Sequence, residues 1–82
     1  MITEAEIFIR NNFPAILGHP KVKALTDRNP GAWGLLNDEI DHISATPKNI
    51  AFTLFVGNQG DCLRVRGKFN RESRKLSNVE VE

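Results

Sequence analysis

The strongest constraint on the fold is a pair of alternating apolar runs in the second half of the chain. The runs consist of Ile50, Phe52, Leu54 and Val56, and then of Leu63, Val65, Gly67 and Phe69. A period of two is typical of strands that bury one face. We expect an antiparallel hairpin with a four-residue loop at 57–60, which places Leu54 opposite Leu63 and Phe52 opposite Val65. Both apolar sets then share a face.

The first half of the chain has helical patterns. Thr3 and Glu6 have the spacing of a capping box, and an apolar stripe with helical spacing follows. Pro14 and the segment 18–20 end this helix, and Pro20 opens a second one that runs to about Asp27. A third helix is predicted from Pro30 to Ile43, because five apolar residues, Trp33 among them, fall within one helical face that we expect to be largely buried. They are Ala32, Trp33, Leu36, Ile40 and Ile43.

These elements together predict an α+β fold. Two or three N-terminal helices within residues 3–45 pack on a C-terminal three-stranded antiparallel β-meander at 50–82. The 82 residues are expected to form one domain. The start has no signal-peptide pattern, and the longest apolar run, "IAFTLFV", is much shorter than the roughly 20 residues of a membrane-spanning helix. With one cysteine, Cys62, no internal disulfide can form, and a single thiol suits a reducing compartment. These features together predict a soluble, cytoplasmic protein with no membrane contact.

The outward side chains of the hairpin form the first candidate partner-binding surface. Phe55, Arg64, Arg66 and Lys68 are predicted to project from the same face of the hairpin. Such a face suits RNA or single-stranded DNA, which stack bases on aromatic rings and pair phosphates with guanidinium groups. It also suits a protein contact, since aromatic residues and Arg are enriched at binding hot spots. A plain solvated face, or one covered by the chain's own tail, is the third alternative.

The predicted third helix carries the second candidate surface. Its outward face would present Leu35 together with Asp38, Glu39 and His42. These acids disfavour a winged-helix arrangement, in which that helix would lie beside phosphates. Glu39 and His42 have the Glu-x-x-His spacing of di-metal bundles, but the chain has only one copy, so no metal or cofactor site is predicted.

The function predicted from these features is non-enzymatic protein binding of an adaptor or inhibitor type, by occluding or bridging a protein partner. No nucleophile motif or phosphate loop is present, so no catalytic residues are assigned. The alternative is binding of RNA or single-stranded DNA through the basic face of the hairpin. The net charge of +1 argues against a general polyanion binder. A homodimer is also predicted, because a terminal strand with Val79 and Val81 would leave an apolar sheet edge.

Overall fold

The computed structural model describes residues 3–29 and 31–82, and of residues 37–39 it describes the backbone alone. Three short helices come first within this part of the chain: α1 (Glu4–Asn11), α2 (Phe13–Leu17) and α3 (Pro20–Thr26). The predicted cap of α1 is present, because the backbone N–H of Glu6 donates a hydrogen bond to Thr3 Oγ1 at 3.2 Å. Pro14 and Pro20 each lie in the first turn of a helix, where their missing N–H costs nothing. None of these described helices is long and apolar enough to cross a membrane.

The predicted third helix is wrong. Gly34–Ala45 is a β-strand, β1, and Pro30 lies outside the described residues. The pairing of β1 with the next strand is irregular between Leu35 and Ile40 and again between Ile40 and His42. An extra residue at such a bulge brings side chains three positions apart onto one face. Ile40 and Ile43 therefore show a helical spacing although they lie on a strand.

The remaining strands are β2 (Asn49–Asn58), β3 (Asp61–Asn70) and β4 (Leu76–Val81). With β1 they make an antiparallel sheet in the order β1-β2-β3-β4, so four strands are seen in the described chain where the sequence predicted three. The α+β class and the antiparallel meander of the C-terminal half are confirmed. The additional strand is β1, for which the sequence predicted a helix.

The β2–β3 hairpin has a two-residue turn instead of the expected four-residue loop. Gln59 and Gly60 form its centre with φ values of 41° and 99°, the positive values that a type I′ turn requires. Leu54 consequently lies opposite Val65, and Val56 lies opposite Leu63. The register differs from the predicted one by two residues, so every side chain stays on its predicted face.

The helices cover one face of the sheet, and the core lies between the two layers. Its buried side chains come from all three helices and from β2, β3 and β4. The buried apolar residues are Ala5, Ile9, Ile16, Val22, Ile50, Phe52, Leu54, Val56, Val65, Phe69 and Val79. The rings of Phe52 and Phe69 stack with centroids 5.5 Å apart, and Phe8 meets Phe69 edge-on at 5.6 Å.

Trp33 was expected to be largely buried on the third helix, and this expectation is not met. It precedes β1 and is half-buried at the border of the core. Its indole N–H donates to the backbone carbonyl of Asn29 at 3.0 Å. The ring therefore packs beside the connection between α3 and β1 and does not lie at the centre of the core.

Candidate functional site

The face of the sheet that points away from the helices is the candidate site, and we call it the outer sheet face. Alternate residues of β2 and β3 supply its centre, because successive side chains of a strand point to opposite sides. Its central residues are Ala51, Thr53 and Phe55 of β2 and Arg64, Arg66 and Lys68 of β3. The inner residues of the same strands pack against the helices.

Cross-strand pairing brings the predicted hairpin residues together. Phe55 lies opposite Arg64, and Ala51 lies opposite Lys68. Thr53 lies between His42 of β1 and Arg66 of β3, and these two neighbours leave it only 6% exposed. Phe55, Arg64, Arg66 and Lys68 thus share one surface.

Each arginine of this surface has an acidic partner, one on β4 and one in the residue that follows it. Arg66 forms an ion pair with Glu80, the residue opposite it in the register. Two residues further along the strands, Arg64 Nη1 lies 3.3 Å from Glu82 Oε2. The sequence signal for these pairs is the spacing of Glu80 and Glu82, which puts both acids on one side of β4.

Arg66 and Glu80 shift each other's protonation. The hydrogen bond from Arg66, and secondly its positive charge, holds the pKa of Glu80 below its ordinary value of 4.5. The pKa of Arg66 is raised by the same hydrogen bond and by the charge of Glu80. Both groups therefore stay charged at neutral pH. Lys68 is the basic side chain of the central set that forms no ion pair with any described residue.

The turn end of the outer sheet face is apolar. Phe55 is half-buried, and Leu36 is 38% exposed. The Leu36 side chain lies over Gly57, so close that a Cβ added to Gly57 would be 2.9 Å from Leu36 Cδ1. Cys62 pairs with Gly57 and is exposed beside it. An apolar patch of Leu36, Phe55 and Cys62 thus borders the charged rows.

The second predicted surface does not form as expected, because its helix does not exist. Leu35 pairs with Val56, is half-buried and packs against the core, so it faces away from the outer sheet face. His42 is exposed on the outer sheet face beside Thr53. The side chains of Asp38 and Glu39 lie outside the described residues. On a strand, Leu35 and His42 point to opposite sides, so the structure does not bring them together.

Among the described side chains, no group of three His, Cys, Asp or Glu residues is placed to hold a metal ion. The helical Glu-x-x-His geometry is absent because Gly34–Ala45 is a strand. The arrangement on the outer sheet face instead offers an aromatic ring, an apolar border and fixed, internally paired charges. Such features are suited to recognition of a surface.

Comparison with known proteins gives no family assignment. No protein-family model matches the chain, and no curated protein or solved structure matches it significantly. Function must therefore be inferred from the geometry of the described residues.

Proposed function

We propose that this chain is a small, non-enzymatic module that binds a protein partner through the outer sheet face. Phe55 is the anchor, Leu36 extends the apolar contact, and the charged pairs form a polar border. This division into an apolar centre and a polar rim is typical of protein interfaces. The module would act by occluding or bridging its partner.

The observation that carries this proposal is the pairing of Arg64 and Arg66 with Glu82 and Glu80. A face that grips phosphates needs free positive charge, because counterion release provides most of the affinity. Here two acids neutralise two of the three central bases, and the two carboxylates would also repel phosphates. A protein surface with its own mixed charges can match such a pattern.

The test uses the immobilised chain to recover partners from a lysate of its source cells, with and without nuclease. We expect a discrete protein that is retained after nuclease treatment. Phe55→Ala should remove it, since truncation of a central aromatic anchor costs about 2 kcal/mol or more of binding energy.

Ile7→Ala is the matched control, because Ile7 is 48% exposed on α1, in the helical layer on the opposite side of the sheet. This variant should recover the partner as the parent does. Recovery that disappears with nuclease would support the RNA or single-stranded DNA alternative. Undiminished recovery by Phe55→Ala would show that the outer sheet face is not the protein-binding surface.

A further inference from the structure

The open edge of β1 faces a groove, which we call the edge groove. It has a volume of about 430 Å³ and lies between α1 and β1. Its lining includes apolar Ala5, Ile40, Ile43 and Ala45, with the carboxylates of Glu6 and Asp41 among its polar residues. It lies beside the sheet, apart from the outer sheet face, and does not depend on the function proposed for that face.

The backbone of β1 presents unused hydrogen-bonding groups to this groove. Thr46 N–H donates to Asn49 O at 2.8 Å and Asn49 N–H donates to Thr46 Oγ1 at 3.0 Å, so residue 46 directs its N–H toward β2. Bonded and non-bonded pairs alternate along an antiparallel ladder. Ile43 and Ala45, which lie opposite Phe52 and Ile50, therefore direct their N–H and C=O groups away from β2. No described residue hydrogen-bonds to these groups outside the sheet ladder.

The opposite edge of the sheet differs in this respect. Glu82 and Arg64 exchange both backbone hydrogen bonds, so by the same alternation Val79 and Val81 direct their backbone groups to the open side of β4. There the Lys21 ammonium donates to the Val79 carbonyl at 3.0 Å. Asn78, with a φ of 53°, further interrupts β4. The apolar side chain of Val79 is 3% exposed and belongs to the core, so it is not available to a partner as the sequence suggested.

We propose that the edge groove binds an extended peptide segment of a protein partner, which adds to β1 as a further strand. Backbone groups of Ile43 and Ala45 would supply the hydrogen bonds, as in other cases of strand addition. Peptide side chains opposite these two residues would point toward α1 and contact Ala5 and Ile40. The peptide therefore has apolar residues two positions apart.

The charged residues of the groove indicate which side chains the bound peptide should carry. Asp41 is exposed and has no ion pair with a described residue, whereas Glu6, across the groove, lies 3.9 Å from Arg10 Nε, so Asp41 provides the unpaired acidic charge. The segment should therefore carry Lys or Arg beside its apolar pair. A second copy of this chain is less suitable, because pairing two β1 edges would bring acidic groove residues of both copies near each other.

The test is selection of a phage-displayed library of random decapeptides on the full chain. We expect enriched peptides with apolar residues two positions apart and an adjacent Lys or Arg. A synthetic peptide of the enriched sequence should bind Ala45→Pro at least about ten-fold more weakly, because proline removes the outward N–H and leaves the β1–β2 ladder intact. Val81→Pro is the matched control, because it removes an outward N–H at the opposite edge of the sheet, and it should bind the peptide as the parent does.

Two further comparisons keep the test independent of the stability of the proline variant. N-methylation of the peptide amides that face β1 should abolish binding to the parent protein, whereas N-methylation of the alternate amides should not. Asp41→Lys should weaken binding, while Asp27→Lys, at the end of α3 and outside the groove, should not. Phe55→Ala should bind the peptide normally, so this proposal and the proposed function can fail separately.

Several results would overturn the proposal. They are the absence of enriched peptides, peptides that bind Ala45→Pro as tightly as the parent, and equal effects of the two N-methylation patterns. A dimer of the parent that Ala45→Pro dissociates would show that a second copy occupies the edge.

Discussion

Arg66 on β3 and Glu80 on β4 face each other across the outer sheet face and form an ion pair. Arg64 and Glu82 repeat the arrangement two residues along the same strands. The C-terminal strand thus supplies the counter-charges of the basic hairpin. Two of the three central basic side chains of the outer sheet face are therefore paired with carboxylates.

The pKa of Glu80 provides a direct test of this pair. We expect NMR titration of its carboxyl group to give a pKa below 4.5 in the parent, and a value near 4.5 in Arg66→Gln, which removes the charge and the ionic hydrogen bond. Because the folded-state pKa is lowered, the contribution of the pair to stability is present above about pH 4.5 and is lost as the pH falls through the folded pKa. An unchanged Glu80 titration in Arg66→Gln would contradict the pairing.

Charge exchange within the pair tests whether the arginines bind a partner directly. Arg66→Glu combined with Glu80→Arg should keep the fold, because the exchange preserves the pair, and should weaken partner binding less than Phe55→Ala does, because the apolar anchor stays in place. By contrast, Arg64→Glu with Arg66→Glu places two carboxylates opposite Glu80 and Glu82, so it should lower the melting temperature through like-charge repulsion. Binding to the captured partner and thermal unfolding are measured for both variants. Loss of binding on charge exchange would indicate that the partner contacts Arg66 itself.

Salt dependence separates the two classes of partner. A protein contact anchored by Phe55 should weaken only mildly as salt rises, whereas contact with several phosphates would weaken steeply and log-linearly. The measurement is the affinity for the recovered partner at a series of salt concentrations. A steep slope for the parent would favour the nucleic-acid alternative.

Gly67 lies where the inner face of β3 meets the aromatic core. A Cβ at this position would be 3.2 Å from both Phe52 Cζ and Leu76 Cδ1, and Phe52 is only 1% exposed and stacks on Phe69. Gly67→Ala should therefore destabilise the fold by about 1–3 kcal/mol through overpacking. Gly34→Ala is the control, because a Cβ there would meet no atom within 4 Å. Urea unfolding should show a lower free energy of unfolding for Gly67→Ala and an unchanged one for Gly34→Ala.

Trp33 tests the corrected assignment of the segment before β1. Since the ring is half-buried, Trp33→Ala should cost about 1–3 kcal/mol, less than the roughly 3–5 kcal/mol of a fully buried aromatic residue. Trp33→Phe keeps most of the packing and removes the hydrogen bond to Asn29. Unfolding should be followed by circular dichroism, because Trp33 is the single tryptophan of the chain. A loss of unfolding free energy of about 3–5 kcal/mol would contradict the half-buried position of the ring.

The faces of the hairpin were determined by the sequence alone. Its apolar residues alternate with a period of two, and the pairing seen in the structure differs from the predicted one by two residues. Such a shift changes the neighbours of Phe55 and Arg64 but keeps both side chains on the same side. The cap at Thr3 was equally predictable, because it depends on residues three positions apart.

The state of Gly34–Ala45, the partners of the arginines and the edge groove were decided by tertiary structure. The irregular pairing of β1 puts Ile40 and Ile43 on one face, so the local pattern resembles a helix although β2 holds the segment as a strand. Arg66 and Glu80 are fourteen residues apart, and the edge groove brings Glu6 of α1 and Asp41 of β1, thirty-five residues apart, to one lining. Periodicity reports only which side of an element is buried. Strand order and long-range register determine which surfaces meet.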